Sequence, residues 1–203
     1  MRCAKFLSFV GHIFSPYTLN EGEKLPPKAI IVGAPHTSYW DAVLMAIGLW
    51  KVGRHFNFFV KDSAVNSPFG PIIKAVGGLA VDRSRSHGLV DYAVARAREN
   101  SDFLLVITPK GTRGKREFWK SGFYHIAMQA DLPVVLGYIT RTPRKTYGWG
   151  KTIRLSGDMR ADMEKIRAFY ADKTGIRPEL RSEPRLRGED GTADAPNSPA
   201  RKD

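Results

Sequence analysis

The chain has 203 residues, 42% hydrophobic and 26% charged, a balance that suits one soluble globular domain and excludes wholesale disorder or a polytopic membrane protein. Lysine and arginine number 32 against 20 aspartate and glutamate, and the resulting +12 favours anionic partners: phosphorylated substrates, acidic lipid surfaces or nucleic acid. The single cysteine, Cys3, excludes a disulfide or a thiolate metal cluster within one chain and fits a reducing compartment.

Residues 1–24 read as an N-terminal amphipathic segment. As a helix, MRCAKFLSFVGHIF places Phe6, Phe9, Val10, Ile13 and Phe14 on one stripe flanked by Arg2, Lys5 and His12. Such a stripe either docks on the domain's own core or anchors in a membrane interface. Gly11 and His12 interrupt the apolar stretch and no small-residue cleavage site follows, so a signal peptide is not expected. The longest apolar run, AVLMAIGLW at 42–50, is about half of the ~20 residues a spanning helix needs.

From residue 25 to 175, β-branched or aromatic runs alternate with helical patterns, as in a single-domain α/β fold whose mixed, largely parallel sheet is flanked by helices. The expected strands are 29–34, 56–61, 78–82, 103–109, 133–140 and 151–157. Between them Trp40, Val43, Leu44, Ile47 and Trp50 follow helical spacing, as do Trp119, Phe123, Ile126, Ala127 and Ala130, and later Met163, Ile166 and Tyr170; 87–99 is a weaker helix. Residues 176–203 are rich in proline, glycine and charge with few large apolar side chains, and are expected to be disordered. Residues 181–203 hold five basic and five acidic side chains, so the +12 belongs to residues 1–180.

Three polar motifs follow three of these strands, where ligands of open α/β sheets bind. HTSYWD follows the first. Its Ser38 and Asp41 have the spacing of a capping box, in which Ser38 accepts from the Asp41 amide while the carboxylate reaches back. His36 lies outside that helix, and if the turn folds back, Asp41 can hold its Nδ1–H and leave Nε2 as a general base near physiological pH. DRSRS follows the third strand, where Arg83 either binds phosphate or pairs with Asp82. TPKGTRGKREFWK, residues 108–120, follows the fourth with five basic side chains and one acidic. There Gly111 permits close backbone approach, Thr112 offers a hydroxyl and Arg113 a fork suited to phosphate; the plain alternative is a solvated basic turn. No G-x-S-x-G, S-x-x-K, H-E-x-x-H or C-x-x-C occurs, and the remaining histidines lack metal-ligand spacing.

The order H-x-x-x-x-D, a glycine-rich strand ending in arginine, P-x-G-T-R and the strand LPVVLGYI resembles the glycerolipid acyltransferase superfamily over residues 25–175. The resemblance implies an acyltransferase-like fold, with His36 as general base, Asp41 orienting it, and Arg83 and Arg113 holding an acceptor phosphate while Gly111 and Thr112 shape the third block. That block usually begins Glu-Gly-Thr-Arg; here Lys110 stands in the glutamate's place among the expected substrate-binding residues. The implied reaction moves a fatty acyl group from acyl-CoA or acyl-carrier protein to a hydroxyl of a lysophospholipid, 1-acylglycerol-3-phosphate-like, with no metal or resident cofactor. The expected partners are that acceptor, the donor and an anionic membrane surface, with the protein cytoplasmic and peripheral on the membrane. Two other readings remain: a catalytically inactive lipid-binding homologue, and a basic nucleic-acid-binding module. The second rests on residues 109–120 and on TRTPRKTYGWGKTIR, where Tyr147 and Trp149 interleave with five basic residues.

Overall fold

Along KAIIVGA successive side chains must point to opposite sides, and from Ala29 onward none is polar, so this strand needs a cover on both faces. The computed structural model describes residues 15–81 and 86–190 and places it at the centre of a seven-stranded sheet. The strands are β1 (Thr18–Glu21), β2 (Lys28–Ala34), β3 (Asn57–Lys61), β4 (Gly78–Val81), β5 (Phe103–Ile107), β6 (Val134–Thr140) and β7 (Thr146–Ile153). Their order is β1-β7-β6-β2-β5-β3-β4; β6, β2, β5, β3 and β4 run parallel, β7 is antiparallel to β6, and β1 is parallel to β7. The helices are α1 (Trp40–Lys51), α2 (Asp62–Val65), α3 (Gly70–Ala75), α4 (Ser86–Glu99), α5 (Gly122–Gln129) and α6 (Met159–Tyr170).

The handedness of the crossovers distributes the helices. Going β2 to β3 to β4 steps one way along the sheet and going β4 to β5 to β6 steps back, so right-handed connections put α1, α2 and α3 on one face and α4 and α5 on the other. The cores agree. Ile31, Leu104 and Val135 pack with Met45 and Leu49 of α1, while Ile30, Val32, Leu105 and Leu136 pack with Val94, Phe123, Ile126, Met163 and Ile166 of α4, α5 and α6. Among the described residues, no helix is long and apolar enough to cross a membrane.

Several expectations change. Residues 18–21, assigned above to the N-terminal segment, form β1 and pair with β7 from Thr18↔Thr146 to Glu21↔Trp149; residues 1–14, with the amphipathic stripe, lie outside the described residues. The last strand starts at Thr146, five positions earlier than expected from Lys151, because Tyr147 and Trp149 are core residues rather than parts of an exposed basic turn. Buried at that depth, neither ring can stack on a base, which removes the aromatic platform of a nucleic-acid surface. Helices α2 and α3 are too short to carry a legible period. The helix expected from Trp119 begins at Gly122, and Trp119 is buried ahead of it.

Residues 176–190 are not a disordered tail. They run back over the domain as a strap containing two short 3₁₀ turns, Pro178–Leu180 and Arg187–Asp190, and they bury Leu186 completely. Few apolar side chains are needed, because the strap is held by hydrogen bonds to loops 60 to 140 positions away rather than by a core of its own.

Candidate active site

The register decides which strand ends meet. Val32 of β2 stands beside Ile107 of β5, so the chain leaving β2 at Pro35 and His36 emerges next to the turn at Thr108–Arg113. Two of the three expected motifs therefore share one end of the sheet. The third, with Arg83, lies outside the described residues.

In the first turn the Asp41 carboxylate folds back over its own loop. Its Oδ2 accepts the amide of Ser38 at 2.9 Å and that of Thr37, and lies 3.4 Å from His36 Nδ1. Half of the expected capping box is present: the carboxylate reaches back, but Ser38 Oγ accepts from the Trp40 amide, and Tyr39 occupies the N-cap position of α1. Asp41 Oδ1 and His36 Nδ1 are buried and neither has a hydrogen-bond partner among the described residues, the 3.4 Å approach being a contact rather than a formed hydrogen bond. Both belong to the wall of the cavity described below. A fixed carboxylate facing one imidazole nitrogen is the arrangement that selects a tautomer and leaves the other nitrogen for chemistry.

The second turn holds its side chains differently. Gly111 has φ +68°, a left-handed value that a side chain at this position would make costly, and its amide closes the turn on the Thr108 carbonyl at 2.9 Å. Thr112 Oγ1 accepts the Gly114 amide at 3.3 Å. Arg113 swings toward the first turn, its guanidinium carbon 3.5 Å from the centroid of the Tyr39 ring, while Tyr39 itself is 70% exposed. Among the described residues no carboxylate pairs with this guanidinium, and stacking leaves its donor edges for an anion.

Lys110 lines the same cavity as His36 and is tied down by main-chain carbonyls. The residue is only 3% exposed, and its ammonium donates to the Leu180 carbonyl at 2.9 Å and the Arg113 carbonyl at 3.4 Å. Burial pushes its pKa down, partly offset by the negative charge of Asp41.

A cavity of about 1190 Å³ opens at this end of the sheet, somewhat larger than the usual small-ligand pocket of up to about 1,000 Å³. The β5–β3 ladder stops at Phe58↔Val106, and beyond it Phe58 and Val106 face one core while Phe59 and Ile107 face the other. All four line the cavity, together with His36 and Asp41 at its polar end. Apolar side chains from both cores form much of its wall, and His36, Asp41 and Lys110 are among its polar lining.

Sequence reasoning missed Thr37, Tyr39 and the strap. Thr37 is 1% exposed and its hydroxyl accepts the Arg177 amide at 3.0 Å, so the strap lies directly over the His36 loop. Gly175, with φ +75°, packs so close that a Cβ would fall 2.8 Å from Thr37 Oγ1. No local pattern in GIRPELRSEPRL announces these contacts.

The sequence profile of the acyltransferase family matches residues 18–139, more than half of the chain. A 1-acyl-sn-glycerol-3-phosphate acyltransferase of Cocos nucifera is 30% identical over 134 residues, covering 63% of this chain and 42% of its own. The chain thus spans less than half the length of that relative. In fold it is similar to the crystal structure of the 1-acyl-sn-glycerophosphate (LPA) acyltransferase PlsC of Thermotoga maritima, with a TM-score of 0.59 at 14% identity over 84% of this chain and 76% of the other.

Proposed function

Because the chain belongs to the acyltransferase family, we propose that it moves a fatty acyl group from acyl-CoA or acyl-carrier protein to a hydroxyl of a lysophospholipid of the 1-acylglycerol-3-phosphate type, with His36 as general base. The observation that carries this reading is the His36 Nδ1–Asp41 approach of 3.4 Å at the polar end of an apolar cavity.

His36 Nε2 takes the proton of the acceptor hydroxyl as its oxygen attacks the thioester carbonyl. The new C–O bond forms, the C–S bond breaks, and the imidazolium returns the proton to the leaving thiolate. Asp41, fixed by two backbone amides of its own loop, stabilises the imidazolium and holds the ring against the cavity wall. The stacked Arg113 receives the acceptor's phosphate, and the apolar depth of the cavity takes a hydrocarbon chain. Assayed with oleoyl-CoA and lysophosphatidic acid, His36→Ala loses at least ~100-fold in turnover while its melting curve stays cooperative. A near-normal rate would remove His36 from the mechanism.

The same reading places the protein in the cytoplasm, peripheral on an anionic membrane. Tyr39, Trp40 and Val43 of the α1 turn and Phe69 and Ile72 at α3 are exposed aromatic or aliphatic side chains on helices of one face of the sheet, and Val43 also lines the cavity. With +12 on the chain, flotation with phosphatidylglycerol vesicles exceeds that with phosphatidylcholine and weakens with salt. Equal recovery with both vesicles would count against this surface.

A further inference from the structure

Arg141, Arg167 and Arg181 tie the strap to the end of β6 and to α6, and a further series of contacts runs in order along the two turns. The Gly175 amide donates to the Ile139 carbonyl at the end of β6 at 3.1 Å. The Arg177 amide then reaches Thr37 Oγ1 at 3.0 Å, over the His36 loop. Leu180 offers its carbonyl to Lys110, Ser182 Oγ accepts the Arg116 amide at 2.9 Å, and the Arg185 carbonyl accepts the Trp119 amide at 2.7 Å. The strap therefore passes from the first catalytic turn to the second, and Lys110 is its one charged fastener on the second.

That fastener has an unusual cost. A lysine is almost never buried without a carboxylate, and among the described residues no carboxylate lies within ion-pair distance of Lys110. Its donors go to main-chain carbonyls from two segments instead, Leu180 of the strap and Arg113 of the turn. Both carbonyls are acceptors only, so a glutamate here would face them acceptor to acceptor. The lysine and the strap thus require each other.

We infer that Lys110 is a positioning residue: its ammonium locks the 175–182 strap onto the Thr108–Arg113 turn, and the strap, through Thr37, holds that turn in register with His36. This rests on the proposed acyl transfer for its kinetic part only. If the bases of the two turns are joined in this way, loosening the strap at either end misaligns the imidazole relative to the anion-binding arginine. The loss then falls on turnover, because the Lys110 ammonium, although at the cavity wall, is committed to two main-chain carbonyls.

The test uses the full chain with Lys110→Met, which keeps length and removes the donors, Thr37→Val, which removes the acceptor at the other end, and the double variant. Each single change lowers kcat with oleoyl-CoA and lysophosphatidic acid by about 10- to 100-fold, while both KM values stay within about threefold. The double variant loses no more than the worse single variant, because one connection is already broken. Hydrogen–deuterium exchange across 175–182 speeds up in all three. Losses that multiply, an unchanged exchange rate in the strap, or an acceptor KM raised at constant kcat would each overturn the inference. Exchange needs no substrate, so it decides the strap's attachment even if the wild-type chain transfers no acyl group to lysophosphatidic acid. Conversely, an inactive His36→Ala beside an unmoved strap removes only the role given to Lys110.

Discussion

The turns after β2 and β5 lie side by side and solve opposite problems. The β2 turn keeps its charged group within its own sequence: Asp41 binds the amides of Thr37 and Ser38, three and four positions back, and thereby faces His36. The β5 turn hands its first charged group to a distant segment, since Lys110 bonds Leu180 across 70 positions, and presents only its second, Arg113. A local network makes a reactive group that survives rearrangement elsewhere, whereas a long-range one makes geometry that depends on the whole fold.

Breaking the local network gives the largest expected effect. Asp41→Ala strands two amides and removes the charge opposite His36, so turnover falls at least ~100-fold and stability by about 1–3 kcal/mol. Asp41→Asn keeps an acceptor for the amides, so its melting temperature drops less while turnover falls nearly as far. If Asn restores the rate as well, Asp41 is only a cap.

Arg113→Ala comes next. Losing a charge-assisted contact of about 1.5–3 kcal/mol raises the KM for lysophosphatidic acid roughly 10- to 100-fold, and leaves that for monoacylglycerol, which lacks the phosphate, nearly unchanged. Equal changes for both acceptors would place the phosphate elsewhere.

The smallest effect sharpens the contrast through pH. Because burial lowers the pKa of Lys110 from its ordinary 10.5, the unfolded chain binds the proton more tightly than the native one between that lowered value and 10.5. Unfolding takes up a proton in this window, so the cost of the buried ammonium is present at neutral pH and fades as pH rises through it. Lys110→Met lacks that term. Its melting temperature, compared with wild type, gains less or falls more steeply from pH 7 toward 10.5; a constant difference between the two curves would mean that the ammonium is not desolvated.

Most of the sheet was legible because alternation and β-branching are local. The runs at 29–34, 78–82 and 133–140 lie within one residue of β2, β4 and β6 at each end, and helical spacing located α1, α5 and α6. β1 escaped, since TLNE is short and mostly exposed and becomes a strand only by pairing with β7. The strap escaped for the same reason: its order comes from hydrogen bonds to other loops, which composition does not record.

By itself the sequence determined the alternating core and the five-position spacing of His36 and Asp41, because both are written in contacts a few residues long. Only the tertiary structure decided that Lys110 turns inward, that Arg113 stacks on Tyr39, and that Thr37 meets Arg177 from 140 positions away. Those choices depend on which strand ends are neighbours, and strand order is settled by the packing of both faces together rather than by any one segment.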